Sequence, residues 1–515
     1  MGTIVTMLSV VLVALLGLAG GSGTQVSDEV FITDVGAGPE AELIANNSPT
    51  AVINPQDRDN VVVVHLMDAP GFSARLHYSR DGGRTWSSTD LPLPEGTGNP
   101  EGPPLELTEE GEVRFVETQR PYAPDVAFGP DGTLYVAYVN LMGRGNVPDN
   151  LWLARSEDGG ATLSEPVRVA GERVFQTRVV VDPDGVVHLT YMQADDIGVW
   201  ALASPPTLVA TRSEDGGETF SDPVPFSDPA RPRVAAATPV IDADGDLVVL
   251  YQDFKDNVRD FQNLEGPAWE GTSALVLTRS TDGGRTFSPG VEIDDEVVVG
   301  QRFIVFLPEF PSITAAPDGT LYVAWADARA GSRDVLLRRS VDGGDSWSAP
   351  VRVHDHPADD ETAQYLPRVA ATDDGRVAVL YVDQDDTDGA MATTRVAVSA
   401  DGAAPFETRQ LSSRAFDATI GPRPQAAHVE PGVGARLGLA AWDGSLIAVW
   451  TDTRIGEDRP ELVRQDIAAT RVRLPDPPAE ADITAAPWSL VLIAAAAVAL
   501  LALVLVVRRR RAGRR

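Results

Sequence analysis

The 515-residue chain has no cysteine, which excludes disulfides and thiolate chemistry. Lysine is nearly missing, Lys255 being one clear case, while arginine is plentiful. Positive charge is lacking overall: the formal net charge is −33 at pH 7. A tail holding six arginines makes the remainder more acidic still. A field of that sign repels nucleic acid, so nucleic acid is excluded as a partner. Solubility or adaptation to salt accounts for the acidity. No phosphate-binding loop and no Ser-His-Asp arrangement stands out.

Long apolar runs number only two. Residues 4–20 are apolar and end in small residues, so 1–23 reads as a signal peptide, although its n-region carries no Lys or Arg. Residues 487–507 carry no charge and are followed at once by four arginines, 508–511. A helix of that length spans about 30 Å, one bilayer core, and the arginines belong on the cytoplasmic side. The expected organisation is a signal peptide (1–23), an extracellular domain (29–474), an acidic Pro-containing linker (475–486), a membrane helix (487–507) and a basic cytoplasmic tail (508–515). The protein is thus expected at the cell membrane as a single-pass protein.

What the chain has in abundance is repetition. SRDGGRTW (79–86), SEDGGATL (156–163), SEDGGETF (213–220), STDGGRTF (280–287) and SVDGGDSW (340–347) are copies of one pattern, and SADGAAPF (399–406) is a decayed sixth. A second repeat alternates with it: an apolar run, a turn usually built on Asp-Gly, and an apolar run usually ending in an aromatic. Copies occur at 49–68, 124–140, 178–193, 239–253, 311–327, 367–383 and 437–452. Asp-Gly between β-rich runs is a hairpin turn, because glycine takes positive φ without steric cost. A third run leads into each Asp-Gly-Gly pattern and a short fourth follows. Four antiparallel strands per unit, repeated radially, are propeller blades. The expected fold is an all-β propeller of seven four-stranded blades, with six as the alternative. The seventh hairpin lacks the pattern, so either 461–474 completes its blade or the N-terminal run 29–35 closes the ring upon it.

The eight-residue pattern resembles the Asp-box, or BNR repeat, of sialidases and other β-propellers. Its Asp81, Asp158, Asp215, Asp282 and Asp342 suit Asx-type turns, so the boxes are expected to be structural. A ligand site is expected over the central channel. Arg120, Arg178, Arg302, Arg368 and Arg423 stand near the starts of the hairpins, with Arg231 and Arg233 in the same setting. Such arginines can clamp a carboxylate bidentately. The resemblance to sialidases implies three arginines on a sialic acid carboxylate, a Tyr–Glu nucleophile pair and an Asp acid/base. Asp125, Glu361 and Tyr365 are the candidates for chemistry, with Glu117, Glu309 and Tyr122 nearby. The family's Arg-Ile-Pro segment is missing; Arg120-Pro121-Tyr122 stands nearest to it and does not match. That absence weighs toward a surface-displayed protein that binds a glycan, polymer or protein ligand. An exo-sialidase or related glycoside hydrolase acting on acidic sugars is the alternative. No cofactor is implied. His354-Asp355-His356 is too small a set for zinc. The run 383–389 (DQDDTDG) fails the EF-hand register, leaving at most opportunistic Ca²⁺.

Overall fold

A computed structural model describes residues 24–33, 43–69, 72–94, 105–107, 113–115, 120–142, 147–171, 173–194, 197–198, 201–202, 204–261, 269–299, 309–357, 362–384, 390–421, 432–457 and 463–475. Gln25–Arg473 form one compact unit, which holds every described sheet. The chain ends, Met1–Thr24 and Leu474–Arg515, form another, of which only Thr24, Leu474 and Pro475 are described. The expected signal peptide, membrane helix and basic tail lie outside the described residues. Among those described, no helix is long and apolar enough to cross a membrane.

The fold is all-β and propeller-like. Each unit of the second repeat supplies the first two strands of an antiparallel sheet, and the runs around the Asp-box supply the other two. Sheet I is Leu43–Ile53, Val61–Ala69, Ser73–Ser79 and Ser87–Asp90. Sheet II is Arg120–Phe128, Leu134–Met142, Val147–Ser156 and Val167–Ala170. Sheet III is Val174–Val181, Val187–Gln193, Thr207–Ser213 and Val224–Pro225. Sheet IV is Val234–Ile241, Leu247–Asp253, Ser273–Ser280 and Val291–Val297. Sheet V is Ser312–Ala315, Leu321–Asp327, Asp334–Ser340 and Val351–Arg352. Sheet VI is Ala363–Ala371, Val377–Gln384, Met391–Ser399 and Glu407–Gln410.

Sheet VII is assembled from both ends of the unit. Gly438–Trp442, Ser445–Asp452 and Val463–Arg473 come from the C-terminal part. The N-terminal strands Gln25–Val26 and Val30–Phe31 pair antiparallel with Val463–Arg473. Leu43–Ala45 of sheet I pairs parallel with Val463–Gln465, joining sheets I and VII into one. The first strand of each sheet touches that of the next, and Gly438–Trp442 touches Leu43–Ile53, so the series returns to its start.

The core lies between successive sheets. One cluster unites Val62, Val64 and Leu76 of sheet I with Val136, Tyr138 and Ala154 of sheet II. Another unites Met192, Leu208 and Ala210 of sheet III with Val249, Tyr251 and Val276 of sheet IV. The aromatics that end the second runs, Tyr138, Tyr191, Tyr251, Tyr381 and Trp450, are fully buried. Burying each such side chain contributes about 1.5–3 kcal/mol.

The Asp-boxes lie where the third strand ends, beside the start of the second: Ser280 faces Leu247, whereas Ala274 faces Asp253 at the other end. In the third box Ser213 Oγ donates to Asp215 Oδ1 (2.7 Å) and accepts from Gly217 N (2.8 Å), while Thr219 N donates to Oδ1 (2.9 Å). Gly217 has φ +88°, and a Cβ there would come within 2.7 Å of Leu153 on sheet II, so the position demands glycine twice over. The box aromatics pack toward the preceding sheet: Phe220 against Leu153 and Tyr135, Trp347 against Leu275 and Leu277.

These hydrogen bonds favour the ionised carboxylate. The Thr219 and Thr286 side chains, then the backbone N–H groups of the same residues, hold Asp215 and Asp282 well below the usual carboxylate range. Asp342 is lowered to about 2, first by the Ser346 hydroxyl. A carboxylate whose folded pKa is depressed stabilises the fold above its unfolded pKa, and that contribution is lost as pH falls through the folded value. The unfolding midpoint is therefore expected to hold from pH 7 to about 5 and to drop between about pH 4 and 2. Asp342→Asn should flatten part of that acid slope. Denaturation curves across the range check this; a wild-type curve flat to pH 2 would remove the argument.

Candidate ligand site

At the end opposite the boxes, the first strands share a backbone device. Ser48, Ala123, Gln176, Ala236 and Leu366 all have φ between 49° and 59°. Each sits in a bulge where the register to the second strand shifts. The residue after the left-handed one is proline in three of the five, Pro49, Pro124 and Pro367. Proline fits because a bulge leaves a residue outside the ladder. Two positions past the left-handed residue the strand re-enters register, at Thr50, Asp125, Arg178, Thr238 and Arg368. In sheet V the matching residue is Ser312, which faces Ala324 as Asp125 faces Ala137.

Hydrogen bonds between neighbouring sheets pin this layer. Val179 N donates to Asp125 Oδ2 (3.0 Å), Ala236 N to Gln176 Oε1 (2.6 Å) and Val369 N to Ser312 Oγ (3.0 Å). Leu366 N donates to the Glu309 carboxylate, and Ala435 N to Ser48 Oγ (2.9 Å).

Three arginines meet in the layer. Arg178 is buried; its Nη1 lies 3.5 Å from Asp125 Oδ1, and its guanidinium stands 4.0 Å from the centre of the Phe310 ring. Arg436 donates from Nη2 to the carbonyl of Pro124 (2.7 Å), the neighbour of Asp125. Arg368 occupies the corresponding position of sheet VI and is half-buried. Burial pushes the pKa of all three down; Arg178 adds to the effect on Arg368, and Arg178 and Arg368 add to it on Arg436, while Asp125 opposes it. Among the described residues, Arg178 Nε and Arg436 Nε are buried with no hydrogen-bond partner. Unspent donors and uncompensated charge are what an anion would satisfy.

A phenol–carboxylate pair stands beside Arg436. Tyr122 donates its hydroxyl to Asp68 Oδ1 (3.0 Å), and Asn47 Nδ2 donates to Asp68 Oδ2 (2.8 Å). Burial raises the Asp68 pKa; burial and the adjacent Asp68 raise that of Tyr122 well above the usual phenol value. Next to Phe310, Glu309 is also raised by burial, with Arg333 opposing. The Arg333 guanidinium lies 4.3 Å from the centre of the Tyr365 ring.

Of the arginines singled out from sequence, the fold brings together Arg178 and Arg368. They lie within their first strands, not ahead of them. Arg120 opens the first strand of sheet II opposite Leu141, five residues before Asp125, the true counterpart of Arg178. Arg231 is committed to Asp253 (2.7 Å) and Glu292 (2.8 Å), and Arg233 to the Lys255 carbonyl (2.7 Å). With Lys255 held by Asp295 O (2.6 Å), the cations of the pocket of 460 Å³ around Asp228, Arg231, Asp253 and Asp256 are already engaged. Arg302, Arg423, Glu117 and Glu361 lie outside the described residues. Arg436, Asp68 and Arg333 were not foreseen. Arg436 could have been found, because it stands two residues before Gly438 just as Arg178 stands just ahead of its apolar run.

Among the described residues, no three His, Cys, Asp or Glu side chains are grouped as metal ligands would be. His354 pairs with Asp334 (3.0 Å) and His356 with Asp383 (3.2 Å). Asp383 also takes Arg395 (2.6 Å); residues 385–389 of the acidic run lie outside the described ones.

The chain matches the family described as BNR repeat-like domain over residues 42–323. No curated protein sequence matches it. It is similar to a crystal structure of a protein of unknown function from Dyadobacter fermentans (12% identity, 88% of this chain and 100% of that one, TM-score 0.46). It is also similar to the Hadza microbial sialidase Hz136 (15% identity, 82% and 75%, TM-score 0.40). A third similar structure is the Penicillium chrysogenum alpha-L-arabinanase complexed with arabinobiose (16% identity, 68% and 93%, TM-score 0.40).

Proposed function

The chain belongs to the BNR repeat-like domain family, and from that premise we propose that its seven sheets are the blades of a propeller whose mouth binds the acidic group of a glycan. The closed series of first-strand contacts supports seven blades rather than six. The observation that carries the binding reading is the meeting of Arg178, Arg368 and Arg436 around the single carboxylate of Asp125. On a protein of net charge −33, most of the surface repels anions. The cluster of guanidiniums is then a place where a carboxylate or sulfate gains charge-assisted, bidentate hydrogen bonds. Display of this mouth outside the cell, on a membrane helix over 487–507, completes the reading.

The test uses cells expressing the full chain and a panel of fluorescent acidic and neutral oligosaccharides. Acidic members should bind intact cells, neutral ones should not, and surface proteolysis should abolish the signal. Binding of neutral and acidic members alike would sink the ligand class. Binding only after permeabilisation would sink the orientation.

A second reading is favoured by one observation, the Tyr122–Asp68 pair beside Arg436. A phenol hydrogen-bonded to a carboxylate is the arrangement an acidic-sugar glycosidase needs to activate a tyrosine nucleophile. Turnover of fluorogenic sialosides or uronides, abolished by Tyr122→Phe with binding retained, would move the protein from binder to enzyme.

A further inference from the structure

Sheet I departs from the repeat at the mouth end of its second strand. Asn46 faces Met67 and Ala45 faces Ala69, so Asp68 is the extra residue of a bulge. Among the described residues, sheet I thereby carries two bulges between its first two strands, where sheets II, III, IV and VI carry one and sheets V and VII none. Counted from the box, Met67 and not Asp68 fills the place of Asp253, since Val61 faces Ser79 as Leu247 faces Ser280. The carboxylates near the ends of the second strands of sheets IV to VII are engaged by guanidiniums: Asp253 by Arg231 (2.7 Å), Asp327 by Arg329 (2.6 Å), Asp383 by Arg395 (2.6 Å) and Asp452 by Arg454 (2.6 Å). Asp68 has only neutral partners among the described residues, the Tyr122 hydroxyl (3.0 Å) and Asn47 Nδ2 (2.8 Å). A bulge re-aims a side chain, and here it adds a carboxylate to the mouth without a cation of its own.

We propose that Asp68 is the proton-accepting residue of the mouth: the acidic ligand binds together with a proton on this carboxylate, so the site holds its ligand more tightly in acidic surroundings. The inference rests on the reading above, in which the arginines take an acidic glycan. Asp68 meets the cluster through Tyr122, whose hydroxyl it accepts and which feels the charge of Arg436. An anion seated on Arg436 brings a second negative charge near Asp68, and like charges favour the neutral acid. By linkage the proton favours the anion to the same extent. Burial already raises the Asp68 pKa, with Asn47 and Tyr122 opposing, so the ligand pushes in the direction the fold has begun. Facing the same layer are Asp125, Glu309, Arg178, Arg368 and Arg333. Glu309 is the rival, since burial raises it too. On the strands of sheet I, His65 Nε2 and His77 Nε2 lie 3.1 Å apart. Burial holds His65 at about 4 and His77 well below its usual value, so both stay largely neutral down to pH 5.

The experiment titrates the full chain by calorimetry at pH 7.5 and pH 5 with a monosulfated disaccharide that has no carboxylate. Its sulfate stays ionised across that range, so the ligand itself does not titrate. Wild-type affinity should rise about 3- to 10-fold from the higher pH to the lower, the size of one charge acting across a half-buried layer. Paired buffers of different ionisation enthalpy should show proton uptake on binding. Asp68→Asn removes the charge at nearly unchanged volume. It should bind at pH 7.5 about as tightly as the wild type does at pH 5, with the slope and the proton uptake gone. Glu309→Gln should keep the slope. Should Asp68→Asn fail to fold, Tyr122→Phe removes a hydrogen bond that favours the ionised carboxylate, so the rise in affinity should move to higher pH. A flat wild-type profile, a slope that survives in folded Asp68→Asn, or an unmoved profile in Tyr122→Phe overturns the role of Asp68 alone. No binding at either pH overturns this inference and the reading it rests on.

Discussion

Arg454→Ala is expected to lower the unfolding free energy by about 3–5 kcal/mol, the loss that follows when one partner of a buried ion pair is removed. Arg454 is buried and donates to both oxygens of Asp452, Nε to Oδ1 (2.9 Å) and Nη2 to Oδ2 (2.6 Å). The same guanidinium reaches Glu29, next to the N-terminal strand Val30–Phe31. Burial works against its charge, and Asp452 and Glu29 more than offset that, holding its pKa above the usual arginine value. The substitution leaves Asp452 buried, with only Trp450 Nε1 (3.0 Å) and the backbone N–H of residue 454 (2.9 Å) as donors. It also unties the strand that closes sheet VII. Urea unfolding should show the loss, and amides of residues 30–32 should exchange faster with solvent. A midpoint within error of wild type would mean that the clasp holds by backbone pairing alone.

The second large effect concerns binding. Arg368→Ala should weaken an acidic glycan about 10- to 100-fold, the range for losing a charge-assisted hydrogen-bonding partner. Stability should stay the same or rise. Burial and Arg178 lower the Arg368 pKa, so the folded state carries this charge at a cost, and removing the side chain relieves it. Arg178→Ala should differ, because it strips Asp125 of its 3.5 Å partner and loses stability along with affinity. Thermal unfolding and titration of the two variants side by side separate them. A loss of stability in Arg368→Ala equal to that in Arg178→Ala, with affinity intact, would assign both arginines to the scaffold.

Architecture was legible because it is written in local chemistry. Asp-Gly turns, box hydroxyls and period-two apolar runs each specify their geometry within a few residues. How the seventh blade is completed was left open between 461–474 and the N-terminal run, and both take part: Val463–Arg473 pairs with Ser445–Asp452, and Val30 and Phe31 take Ala469 and Ala468. The site was half legible. Arg178 and Arg368 could be proposed from their place beside the hairpins, but the layer they share is set by the bulge. One extra residue at Ala123, Gln176 or Leu366 decides which side chain falls at the strand's re-entry. Counting from the hairpin without that residue equated Arg120 with Arg178, where the fold equates Asp125 with it. Asp68 was hidden for another reason. It lies at the end of a second strand and reaches Tyr122 only across 54 residues of chain, a contact that no local pattern carries.

The clasp at sheet VII also sets an order of events during synthesis. Gln25–Phe31 cannot take their place until Val463–Arg473 exist. At ordinary ribosomal rates that is a wait of roughly 20–90 s. Throughout it Leu43–Ala45 lack their parallel partner as well. A nascent chain therefore exposes an unsatisfied strand edge at its leading end for nearly the whole of translation. A chain of this design gains more from protection of that edge than from any rapid early nucleus, and a stop codon placed before Val463 should yield aggregate rather than a smaller folded protein.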